Sequence, residues 1–392
     1  MRDLTLPSLL AVLSASVSFG CQASATPATA SETVVVAPDW RSQSIYRGDS
    51  GVWYTRIAPV VDQFASNEVI AADDKGRFLV LSVYSGNWTV HECTCDRQWV
   101  APSRPADVDP NVPGDELYAG GQAGSIHQVT LRRQPFARFT LESRELAHLA
   151  GEEFHTVLAA DIFEGPGDEL LAFAVTGPIY MLRPHNDGAE LATMLVGNTN
   201  GRVRDAVATT LPGTTGTTVL AVSRRGDLLA LHQRDTKLAM RTVLHEDQGL
   251  GRITAAADRD GVFYVTRDDG VLLRVAFDAY GAAVREPILV TDQGLRGVAA
   301  GRYFADGREA VAVYGYNGKV QVVSRVGDGA WQVEDIYVGI QKGHWLSAGE
   351  LDGRNTTDEL VAAGFDGEIV LLSRPRGFGL DGAAVSPDDQ GR

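Results

Sequence analysis

A chain of 392 residues with a net charge of −15 is too acidic to present the basic footprint that nucleic acid or an anionic membrane surface requires. Its 44% hydrophobic and 22% charged residues are those of a globular protein, and 42 glycines point to short strands and many turns rather than to helices. Three cysteines cannot make a disulfide framework, so stability has to come from a repeated apolar core.

The first element in chain order is the apolar run Leu4 to Phe19, behind the short polar Met1-Arg2-Asp3 and ended by Ser18-Phe19-Gly20-Cys21. It is too short for a membrane span and suits the apolar region of an export signal. Its ending resembles a bacterial lipoprotein lipobox, with Ser18 where that pattern carries Leu. The resemblance implies cleavage after Gly20 and acylation of Cys21, and the departure leaves a secreted, unlipidated form open. The expected organisation is a signal peptide over 1–20, a lipoprotein-like tether over 21–39, one repeat domain over 40–374 and a disordered tail over 375–392. The expected location is the bacterial cell envelope, touching the membrane only through the lipid anchor.

From Glu68 onward one pattern recurs: two strands around a glycine turn, as in EVIAADDKGRFLVLS from Glu68 and ELVAAGFDGEIVLLSR from Glu359. Seven copies carry turn glycines at Gly76, Gly124, Gly177, Gly226, Gly270, Gly318 and Gly367, spaced by 48, 53, 49, 44, 48 and 49 residues. A small-residue strand precedes each copy, as in VLAADI from Val157, suited to the crowded axis of a ring. Outer strands follow, as in WTVHECTC from Trp88 and WQVEDIYV from Trp331. Trp40 to Tyr46 matches Trp331 to Tyr337 in spacing but lies ahead of the first inner strand, and no such strand follows Arg374. The fold class expected is therefore all-β: a seven-bladed β-propeller of four-stranded antiparallel blades, its ring closed by an N-terminal outer strand.

The stretch SAGELDGRNTTDELVAAGFDG from Ser347, with its acidic loop, DEL and glycine turn, resembles FG-GAP or VCBS-type repeats. The resemblance extends over roughly residues 40 to 374 and is weakest in blades four and five. It implies an extracellular binding propeller or a scaffold for carbohydrate-active chemistry. It also implies a Ca²⁺ loop, for which Asp107, Asp109, Asn111 and Asp115 supply oxygens at positions one, three, five and nine. Calcium is the one cofactor expected.

Six residues before the position that ends each inner strand stand Arg56, His155, Arg204, Arg252, Arg296 and His344; in blade two the same count lands on Ala101, with Trp99 two residues earlier. Equivalent positions on inner strands share a rim, so these six should form a basic ring able to bind a carboxylate, sulfate or phosphate. The plainer reading has each arginine paired with a neighbour such as Asp205. The function expected is a non-catalytic binding propeller for an anionic small molecule or glycan, or for another envelope protein. Alternatives are a purely protein-interaction scaffold or a uronate-type polysaccharide lyase, with His155 or His344 as base and the arginines neutralising the acid. No nucleophile elbow, P-loop or Rossmann fingerprint occurs. His91, Cys93 and Cys95 share a strand face, but alternate side chains diverge along the pleat, so they are read as filler or a local disulfide rather than a metal site.

Overall fold

The computed structural model describes residues 34–60, 67–84, 86–109, 115–134, 138–165, 167–185, 190–339, 342–351 and 357–374. Cys21, Asn111 and the C-terminal tail lie outside them. Among the described residues there are only strands and turns, arranged as seven antiparallel sheets. The innermost strands are Val52–Ala58, Val100–Pro102, Phe154–Ala160, Val203–Thr209, Leu250–Ala255, Leu295–Ala300 and Gly343–Gly349. Within blades one to six the chain then runs outward strand by strand.

The seventh blade takes its outermost strand from the other end of the chain. Arg41–Arg47 pairs antiparallel with Glu368–Ser373, closing the ring as the Trp40 to Tyr46 match anticipates. A further pairing was not legible in the sequence: Val35–Val36, inside the expected tether, adds a fifth strand to blade six against Tyr337 and Val338. The N-terminal segment thus straps two neighbouring blades and covers edges that would otherwise stay unpaired.

Seven apolar clusters hold the ring, and each lies between two adjacent blades. Second strands such as Glu68–Asp73, Glu169–Ala174 and Glu359–Gly364 are buried along their whole length, because sheets cover both of their faces. Their valines and leucines are each worth about 1.5–3 kcal/mol when fully buried. All seven turn glycines have positive φ, from 74° to 120°. A side chain at Gly226 would meet the Glu246 carbonyl oxygen at 2.0 Å. The carbonyl of each turn glycine accepts an amide from beyond the outer strand: Cys95, Leu149, Thr199, Glu246, Thr291, Gly339 and, in blade seven, Gly48. The strand from the N-terminus is therefore a true fourth strand.

The DEL signature divides two structural tasks. Its glutamate is buried and closes the loop behind it: Glu169 Oε2 accepts the Ile162 and Phe163 amides at 2.9 and 3.0 Å, and Glu359 Oε2 accepts that of Leu351 at 2.9 Å. Its aspartate reaches back to the preceding blade. The Asp168 amide donates to the Asp107 carbonyl at 2.7 Å and that of Asp358 to the Arg302 carbonyl at 2.9 Å, while the Arg302 amide donates to Asp358 Oδ2 at 2.7 Å.

Candidate functional site

Six of the seven inner strands carry a register irregularity at the same place, two or three residues in from the start. A residue opposite no partner bulges from the ladder and turns its side chain away from the inter-blade core. The residues so placed are Trp53, His155, Arg204, Arg252, Arg296 and His344. Blade two shows no such shift over Val100–Pro102, and Trp99, just ahead of that strand, packs beside Trp53 and His155 with ring centroids 5.7 and 5.4 Å apart.

The ring expected from the sequence is thus assembled with one correction. Arg56 stands three residues too far along, because the inner strand of blade one ends at Ala58, well short of Asp62 from which the count began. Trp53 holds the equivalent place. Arg56 lies one layer down, its Nε donating to the Tyr54 hydroxyl at 2.7 Å. The other five converge on one cavity of about 290 Å³ at the channel mouth, together with Trp53, Arg202, Arg224, Tyr316 and Phe365.

All five of those additions were missed, yet three of them had a signal. Arg224, Tyr316 and Phe365 each stand two residues ahead of a turn glycine, as do Asp74, Gln122, Val175 and Asp268 in the other blades. In all seven blades the amide of that residue donates to a carbonyl just ahead of the inner strand, as from Arg224 to Arg202 at 3.0 Å and from Tyr316 to Gly294 at 3.1 Å. This bond makes a second ring of side chains on the same rim. Arg202 has no repeated counterpart, since the matching residue is a glycine, tryptophan, glutamate or lysine elsewhere.

Five arginines line the cavity and, among the described residues, no carboxylate does. Asp268, beside it, is shared by two of them: 2.7 Å from Arg204 Nη1 and 3.4 Å from Arg296 Nη1. Arg296 also donates from Nε to the Tyr316 hydroxyl at 2.6 Å. Arg252 is 6% exposed, lies over the Trp345 ring at 4.1 Å, and gives a hydrogen bond to the Arg204 carbonyl. The buried Nε atoms of Arg202 and Arg252 have no partner among the described residues. The pairing of the plainer reading falls to Asp268, with Arg204 and Arg296; among the described residues Asp205 makes no ion pair with the ring, although its charge acts on Arg252 and Arg56. Its carboxylate accepts the Ala206 and Ile253 amides at 3.0 Å each and sits below the mouth between Arg252 and Arg56.

Electrostatics record the crowding of like charge. Burial pushes the Arg252 guanidinium down to about 10 against the pull of Asp205, with Arg296, Arg204 and Arg202 adding to the depression. Arg202 is lowered by burial and by its neighbours Arg204, Arg224 and Arg296. Burial, then Arg252 and Arg296, press His344 down to about 3, and His155 is likewise held well below the usual range, so both imidazoles are neutral at pH 7.

Below the mouth the channel narrows to a void of about 30 Å³ among Trp53, Trp99, Arg56, Arg252 and Trp345. A separate cavity of about 160 Å³ lies toward the opposite end, lined by small residues such as Thr55, Ala206, Thr254 and Ser347.

In the expected calcium loop, Asp107 is exposed, whereas Asp109 is buried with Oδ2 4.0 Å from Arg144 Nη2. The neighbouring Glu116 Oε2 is taken by the Val108 and Asp109 amides, both at 3.1 Å, and by the Tyr118 hydroxyl at 2.7 Å. Among the described residues no three acidic, histidine or cysteine side chains stand together as metal ligands. Cys93 and Cys95 are free thiols packed into the cluster between blades one and two, and His91 stacks on Phe139 at 3.6 Å.

No family model matches the chain, and no curated protein does. Solved structures do. A crystal structure of BBS1N in complex with ARL6DN is 14% identical with a TM-score of 0.57, covering 89% of this chain and 99% of that one. The β-propeller domain of Myceliophteria thermophila Cps50 (Swd1) is 12% identical with a TM-score of 0.55, covering 85% and 99%. The WD40 β-propeller domain of Doa1 is 14% identical with a TM-score of 0.52, covering 84% and 98%. Identities this low carry the fold and nothing finer. The chain is a seven-bladed β-propeller. The FG-GAP or VCBS resemblance has no matching family model behind it.

Proposed function

We propose that this protein is a non-catalytic binding propeller whose arginine-lined mouth holds an anionic small molecule or glycan. The observation that carries the reading is the cavity with five arginines and no lining carboxylate, in a chain of net charge −15. Buried donors without acceptors are costly, and an oxyanion supplies acceptors to several guanidinium groups at once. The opposite wall of Trp53 and Phe365, with Trp99 packed behind Trp53, offers ring faces to the body of the ligand. Binding is favoured over lyase chemistry because an imidazole pushed down to about 3 is a weak acceptor for a carbon-bound proton.

The test uses the fluorescence of Trp53 and Trp99, which flank the site. Sulfate and oligogalacturonate should change it saturably, more weakly as salt rises, and the response should shrink in Arg224→Ala. An unchanged response in that variant, or none in the parent, removes the reading. Export with acylation at Cys21 belongs to the same proposal, and mass spectrometry of the native protein checks it. So does calcium at Asp107 to Asp115: a chelator should lower the melting temperature if the ion is held there, and leave it unchanged if not.

A further inference from the structure

The charge balance of the mouth goes further than its sign. Arg204 and Arg296 share one carboxylate, and Asp205, below, faces Arg56 as well as Arg252. Arg202 and Arg224 have no carboxylate within ion-pair distance among the described residues. A single negative charge would therefore leave several converging guanidinium groups uncompensated in a partly buried site, where like charges repel most strongly. Resting on the anion-binding reading above, we propose that the ligand is a phosphate monoester borne on a planar or sugar ring. The doubly charged, three-oxygen head lies among Arg202, Arg204, Arg224 and Arg252, and the ring lies against Trp53 and Phe365.

The tetrahedral head suits this arrangement because its oxygens can accept from several forks at once, which one planar carboxylate cannot do. Phe365 is 42% exposed, although a phenylalanine side chain gains most by being covered. It stands at the rim, 4.6 Å from the His344 ring and 6.3 Å from that of Tyr316, so a ligand ring seated there continues an existing aromatic row.

Four probes on the full chain decide the matter by calorimetry: phenyl phosphate, phenyl sulfate, benzoate and inorganic phosphate. Phenyl phosphate should bind at least about tenfold more tightly than phenyl sulfate or benzoate, because a single further charge-assisted hydrogen bond is enough to supply a factor of that size. It should outbind inorganic phosphate as well, and Trp53→Ala should erase that second advantage without touching the first.

Its binding should tighten from pH 5 to 7 as the ester loses its second proton near pH 6. The arginines are charged across that range, and His155 and His344 are held neutral. Asp205, beneath Arg252, is raised by burial, so its ionisation adds negative charge there and opposes anion binding. Asp74, behind Gly51 near the Phe365 rim, is pushed up to about 6 by burial and by Asp73; its ionisation adds negative charge and opposes anion binding. Phenyl sulfate, a monoanion throughout, reports that opposing effect by itself.

Equal affinity for the three phenyl anions, or a phosphate affinity that tracks that of phenyl sulfate with pH, overturns the monoester while leaving an anion site. Failure of all four probes to bind, in a protein whose melting and circular dichroism are normal, overturns both. Arg224→Ala is the safe variant, because that side chain is exposed and its loss opens no core cavity. It should weaken phenyl phosphate more than benzoate.

Discussion

The two halves of the mouth rest on one backbone and differ in almost every side chain. Blades four, five and six contribute Arg202, Arg204, Arg224, Arg252 and Arg296. Blades one, two, three and seven contribute Trp53, Trp99, His155, His344 and Phe365. The same amide-to-carbonyl bond holds both halves, and the same bulge recurs in both except in blade two. Position is therefore set by the repeat and chemistry by the residue, as in scaffolds where backbone bonds hold a site whose side chains are free to vary.

That contrast is tested most severely by reversing charge on one side. Arg202→Glu with Arg224→Glu should lower affinity for phenyl phosphate by at least about 100-fold, two lost charge-assisted bonds at roughly 1.5–3 kcal/mol each less what the remaining arginines recover. If Trp53→Ala costs as much in the same titration, the division of labour between the halves is wrong.

A second effect comes from the aromatic side and concerns acid. His344 has a folded pKa of about 3 against about 6.5 unfolded, so between those values the unfolded chain binds the proton first and stability falls as pH drops below 6.5. At pH 5 the loss is about 2 kcal/mol for this one group. His344→Gln, which cannot take up a proton, should narrow the difference between urea midpoints at pH 7 and pH 5. An undiminished difference would mean that burial and the arginines do not hold this imidazole down.

Trp53→Ala comes next in size, costing a ring-bearing anion up to about tenfold through lost ring contact and inorganic sulfate little. The smallest change is expected at Arg56, which the sequence count placed in the ring and the fold places beneath it. Arg56→Gln should leave anion affinity within about a factor of two, because its guanidinium is engaged with the Tyr54 hydroxyl and does not line the mouth cavity. A large drop would restore Arg56 to the site.

Much of this was legible from residue spacing. The turn glycines fixed seven blades, since only a residue tolerant of positive φ fits where the outer strand's amide closes on its carbonyl. The Trp40 to Tyr46 match fixed the closing strand, because Ile45 repeats the buried position of Ile336. Five of the six ring residues followed from counting along inner strands of six or seven residues. Counting failed in blade one, where Asp62, four residues beyond the strand end at Ala58, was taken as its close, and in blade two, where the bulge is missing. Spacing holds only while strand and loop lengths hold. What tertiary structure alone decided was convergence: that residues 202, 224, 316 and 365, from different loops, face one cavity, that Asp268 serves two arginines, and that Val35 and Val36 leave the tether to pair with blade six. Those outcomes depend on contacts between blades far apart in the chain, and a one-dimensional repeat carries each blade's internal register without the angle at which the ring brings its neighbours together.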